Sequence, residues 1–128
     1  MRVLGALHIL AALAGVAGCA AVTTADGQRL GLASEDFRAY VERVFRDQNR
    51  VASDLGFALE DRDGADPALA TAEQELLDAC AGVNELATLR RDDRRPGLKR
   101  GSAAAHTVPR CEQATRAARA ALERAARR

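Results

Sequence analysis

From residue 34 onward, apolar side chains recur every three or four positions. Phe37, Val41, Val44, Gln48, Val51, Leu55 and Ala58 are spaced alternately four and three apart. On a helix of 3.6 residues per turn they form one stripe, flanked by Tyr40, Phe45 and Leu59. Ser34 stands where an N-cap is needed, with Glu35 and Asp36 in the first turn, where the helix dipole favours acids. The pattern predicts a first helix over about 34–61. Asp66-Pro67 is a second start signal, the Asp as cap and the Pro at the first helical position. It opens a stripe of Leu69, Ala72, Leu76, Cys80, Val83 and Ala87, broadened by Leu77, Leu86 and Leu89, with Arg90 and Arg91 at the C-terminal end of the dipole. A second helix is expected over about 67–91.

Asp92 to Ala105 carries Pro96, Gly97, Gly101 and Ser102 among Arg94, Arg95, Lys99 and Arg100 and reads as a mobile basic loop. A third helix is expected over about 107–127, with Pro109 tolerated in its first turn and a stripe of Val108, Cys111, Thr115, Ala118, Leu122 and Ala125. Glu112 with Arg116 and Glu123 with Arg127 fall at i,i+4 as surface pairs. Strict alternation of apolar and polar residues, the mark of a half-buried strand, is missing. The expected fold is all-α, a single up-down-up three-helix bundle over 34–128.

The N-terminus has a different pattern. Met1, Arg2 and Val3 form a short positive start, and Leu4 to Val16 is an apolar run interrupted only by His8. That run is shorter than the roughly 20 residues a helix needs to span a bilayer, but it suits a secretory signal. It ends in Val16-Ala17-Gly18-Cys19, which resembles the lipobox of bacterial lipoprotein precursors: an aliphatic residue, two small ones, then cysteine. The resemblance covers only this leader. It implies that 1–18 is a removed signal peptide and that Cys19 becomes the lipid-bearing first residue, tethering the protein to a membrane. By the rule of that class, Ala20 in place of aspartate implies the outer membrane, facing the periplasm, in a Gram-negative host. The alternative is an ordinary signal peptide cut after Ala21, which leaves the Cys19 thiol without a purpose. Residues 20–33 are small, polar and glycine-containing, and read as a flexible spacer.

The chain has three cysteines. Cys80 and Cys111 lie on the stripes of the second and third helices, so an antiparallel pair brings them face to face. Once Cys19 is assigned to lipid, these two remain as a matched pair, and a disulfide is expected in an oxidising compartment. Closing that loop is worth about 3.5 kcal/mol in the chain-entropy model, a large share for so alanine-rich a core. A redox dithiol is the sharper alternative, but such pairs usually occur as C-x-x-C. A metal site is not expected, because His106 is the only histidine after the leader.

Charge adds a contrast that the net value of +1 hides. Residues 19–89 hold 6 Arg against 14 acids, a net of −8, whereas residues 90–128 hold 11 Arg and 1 Lys against 4 acids, a net of +8. The bland explanation is a basic helix packed beside two acidic ones. The functional one is a cationic patch at Arg94, Arg95, Lys99 and Arg100 for an anionic envelope polymer or lipid, such as the phosphates of lipopolysaccharide. Nucleic acid is disfavoured, since no aromatic residues interleave the basic positions. No nucleophile elbow, phosphate loop or paired metal motif is present, so neither catalysis nor a cofactor is expected. The expectation is a non-catalytic, lipid-anchored cell-envelope protein with a structural or protein-interaction role. The alternatives are a binding module using the basic loop and an inhibitor or regulator of an envelope enzyme.

Overall fold

The computed structural model describes residues 20–128; the expected leader, 1–18, and Cys19 lie outside the described residues. A two-stranded antiparallel hairpin, β1 (Ala21–Thr23) and β2 (Arg29–Gly31), precedes three helices, α1 (Glu35–Glu60), α2 (Pro67–Arg91) and α3 (Leu98–Ala126).

The caps form as their residue types require. Ser34 Oγ accepts from the Phe37 amide at 3.1 Å. The Asp66 carboxylate accepts from the amides of Ala68 and Leu69, with Pro67 opening α2. Past the end of α1, Gly64 adopts φ 71° and its amide returns to the Leu59 carbonyl, which turns the chain back.

Contacts between helices give their directions. Gln48 donates to Asn84 and Arg90 reaches Glu42, so α2 runs antiparallel to α1. Arg128 meets Asp66 while Cys80 meets Cys111, so α3 runs antiparallel to α2. Tyr40 near the start of α1 touches Glu112, and Arg62 just beyond its end touches the Ala125 carbonyl, so α1 and α3 are parallel. This is the up-down-up bundle. Val44, Val51, Leu55, Leu69, Leu76, Val83 and Val108 are fully buried around the bridge, and Ala118, Ala121 and Ala125 keep α3 close to its neighbours. Among the described residues no helix is long and apolar enough to cross a membrane.

Three expectations are corrected. In place of a flexible spacer, residues 21–31 form the hairpin, whose Val22 and Leu30 join the core. Its turn closes through Gly27, at φ 87°, with the Gly27 amide donating to the Thr24 carbonyl. Second, α3 begins at Leu98 and not near Thr107, so Lys99 and Arg100 belong to its first turn and the connection is only Asp92 to Gly97. Ala103 to Ala105 are strong helix formers, and burial of Ala104, Ala105 and Val108 offsets the donor that Pro109 lacks. Gly101 lies in the first turn of this helix, where a Cβ would come within 3.3 Å of the Pro96 ring. Third, Leu77 does not broaden the α2 stripe; it is half exposed.

Candidate functional site

The four basic candidates fall at one end of the bundle but do not form one cluster of equivalent charges. Arg94 and Arg95 are exposed in the α2–α3 connection, and Lys99 and Arg100 are exposed on the first turn of α3. Arg100 is engaged by Glu85 at 2.9 Å. Arg94, Arg95 and Lys99 have no carboxylate partner among the described residues. The two α3 cations also face the positive end of the helix dipole, which disfavours them.

Cys80 and Cys111 are joined, with Cα atoms 4.5 Å apart, and both are inaccessible to solvent. No external thiolate can reach that bridge without opening the bundle, so its role is structural. Cys19 lies outside the described residues, but its neighbour Ala20 does not. The Ala20 carbonyl accepts from the Leu32 amide at 2.8 Å, which extends the hairpin ladder and fixes where the chain leaves the fold.

A polar cluster that the sequence reading did not single out ties the hairpin to two helices. Glu112 on α3 is only 5% exposed, although it was expected at a solvated position. Its Oε2 accepts from the Tyr40 hydroxyl at 2.7 Å and from the Ala25 amide at 3.4 Å, and its Oε1 accepts from Arg116 at 2.7 Å and Arg43 at 3.2 Å. Arg116 also makes a two-pronged pair with Asp26 in the hairpin turn, each arm 2.9 Å. The Arg43 guanidinium lies 5.3 Å from the Tyr40 ring centroid. Burial pushes the Glu112 carboxyl upward, but the hydrogen bonds from Tyr40, Arg43 and Arg116 prevail and hold it below the ordinary value. Burial, then the facing Glu112 carboxylate, pushes the Tyr40 hydroxyl above its usual range. The Arg116 hydrogen bonds hold the Asp26 carboxyl low.

The chain matches no protein family, curated protein or solved structure.

The chemistry of the cluster therefore rests on its own geometry. Four donors occupy the Glu112 carboxylate, which leaves it poorly placed to act as a free acid or base; it works as a clamp. His106 is exposed, and among the described residues no three His, Cys, Asp or Glu side chains gather to hold a metal.

Another concave feature is apolar. Between α1 and α2 lies a groove of about 420 Å³ lined by Leu32, Phe37, Val41, Phe45, Val83 and Leu86, with Arg38, Glu42 and Arg90 among its polar residues. The Glu42–Arg90 pair, 3.9 Å apart, connects the two helices there.

Proposed function

We propose that the chain is a lipid-anchored, non-catalytic protein of the bacterial cell envelope, carried on Cys19 and acting through its folded surface as a structural or protein-interaction component. The observation that carries this reading is the Val16-Ala17-Gly18-Cys19 signature set directly against the fold, for the hairpin ladder begins at Ala20. A lipid on Cys19 would seat the bundle close to the membrane, with no long tether between. Two or more acyl chains make such attachment effectively permanent, whereas one chain binds reversibly. By the class rule, Ala20 directs the protein to the outer membrane. Replacing Cys19 by Ser tests the reading: the variant is expected in the soluble envelope fraction, still folded and disulfide-bonded. Persistent membrane association of Cys19→Ser would sink it.

A second reading is supported by the three basic side chains that lack partners among the described residues. Arg94, Arg95 and Lys99, with Arg100 beside them, would bind an anionic envelope polymer or lipid through phosphate or carboxylate groups. Glutamate at all four positions is expected to abolish salt-sensitive retention on lipopolysaccharide or peptidoglycan. Unchanged retention would remove this reading and leave the first in place.

A further inference from the structure

We infer that the apolar groove between α1 and α2 receives one acyl chain of the lipid carried by Cys19. The inference rests on the lipidation reading above, and three features of the structure favour that occupant.

The first is position. Ala20, the residue that follows Cys19, is hydrogen-bonded through its carbonyl to Leu32, and Leu32 itself lines the groove. One peptide unit, about 3.8 Å between Cα atoms, separates the lipid-bearing residue from that anchored neighbour. The chain therefore leaves the fold beside the groove and not at the far end of the bundle. The second is chemistry. Val41 and Phe45 on α1 and Leu86 on α2 are the partly exposed apolar walls, over a floor of buried Phe37 and Val83, and Arg38, Glu42 and Arg90 supply the polar groups. An acyl chain needs such a lining and no hydrogen-bond partner inside it. The third is size. A space of about 420 Å³ lies within the range of roughly 300–1,000 Å³ typical of small-ligand sites.

The consequence is an exchange between two seats for that chain, the bilayer and the groove.

The test uses the full chain, produced in a bacterium that processes lipoproteins and fed a palmitate analogue with a photoactivatable diazirine near its tail. Intact mass first reports whether Cys19 carries lipid; its absence overturns the lipidation reading and this inference with it. With lipid present, irradiation of the protein in detergent-free membrane and soluble fractions, followed by peptide mapping, is expected to place adducts on Val41, Phe45 or Leu86. Paired Val41→Asp and Leu86→Asp substitutions are expected to reduce those adducts about tenfold, because a charge in an apolar groove repels the chain. Leu86→Trp, which fills the groove without charge, is expected to do the same and guards against a folding artefact. Lipid on Cys19 with adducts confined to phospholipid, to other faces of the bundle, or to another protein overturns the inference while leaving the anchor intact.

Discussion

Tyr40 donates to the buried carboxylate of Glu112 at 2.7 Å, and through that bond the first and third helices are fixed side by side. The Ala25 amide reaches the same oxygen, so the hairpin is held at the same point. Removing either partner leaves the others facing a buried group without its match. Glu112→Ala is expected to cost about 2–3 kcal/mol and Tyr40→Phe about 1–2 kcal/mol, as for hydrogen bonds to charged groups. Urea unfolding of the two variants and of the double variant checks this. If the double variant costs as much as the sum of the singles, the two residues are not coupled.

Their titrations predict a stability profile. Folding lowers the Glu112 pKa, so its stabilisation is fully present above the ordinary carboxylate value of 4.5 and is lost as pH falls below it. Asp26, held low by Arg116, contributes to the same acid limb. Tyr40 is shifted upward, so its contribution is complete below its ordinary value of 10 and is lost as pH rises beyond it. Glu112→Gln should therefore flatten the loss of stability below 4.5, measured by thermal melts across pH. An acid limb as steep as in the parent protein would refute the assignment.

The cysteine bridge crosses the core between α2 and α3 and closes a loop of 31 residues. Reduction, or the paired change Cys80→Ser with Cys111→Ser, is expected to cost about 3–4 kcal/mol in the chain-entropy model. For a domain of this size that lowers the melting midpoint by roughly 15 °C or more. A midpoint that does not move in the paired serine variant would mean that the bridge constrains little.

Much of this architecture is legible in the residues. The alternate four-and-three spacing from Phe37 to Ala58 located the buried face of α1, and Asp66-Pro67 marked the start of α2, because caps and apolar stripes act locally. The hairpin escaped because its strands are only three residues long. Its signal was nonetheless present: Asp26-Gly27 between Val22 and Leu30 is a turn dipeptide flanked by apolar residues. The early start of α3 escaped because Gly101, Ser102 and Pro109 argue locally against helix, whereas the helix-forming Ala103 to Ala105, with Ala104 and Ala105 buried, decide otherwise. Glu112 lies four residues after Val108 and three before Thr115, at the edge of the buried stripe. Its carboxylate reads as a surface charge until the donors from Tyr40, Arg43 and Ala25, distant in sequence, are in place.

The hairpin turn gives an independent handle on the N-terminal docking. Gly27 sits at φ 87°, in open space, so a side chain there is strained by backbone conformation and not by collision. Gly27→Val is expected to loosen the hairpin at a cost of about 1–2 kcal/mol. Hydrogen exchange should then rise at Leu32 and Thr24 while the amides of α2 stay protected. Equal loss of protection throughout the bundle would show instead that hairpin and helices unfold as one unit.

Gly82 and Thr107 supply the sharpest packing test. Gly82 lies inside α2, where alanine would ordinarily stabilise a helix by about 1 kcal/mol. A methyl group at that position, however, would collide with the Thr107 hydroxyl, which is itself held to the Ala104 carbonyl at 2.6 Å. Thr107 is β-branched and engaged, so it yields poorly, and overpacking of this kind typically costs about 1–3 kcal/mol. The collision should outweigh the propensity gain, making Gly82→Ala destabilising by roughly 1 kcal/mol. In the background of Thr107→Ala the colliding hydroxyl is gone, and the same glycine replacement should become neutral or stabilising as helix propensity takes over. A double-mutant cycle by chemical denaturation reads the difference directly. If Gly82→Ala destabilises equally in both backgrounds, the close approach of α2 and α3 at this point is not what requires glycine.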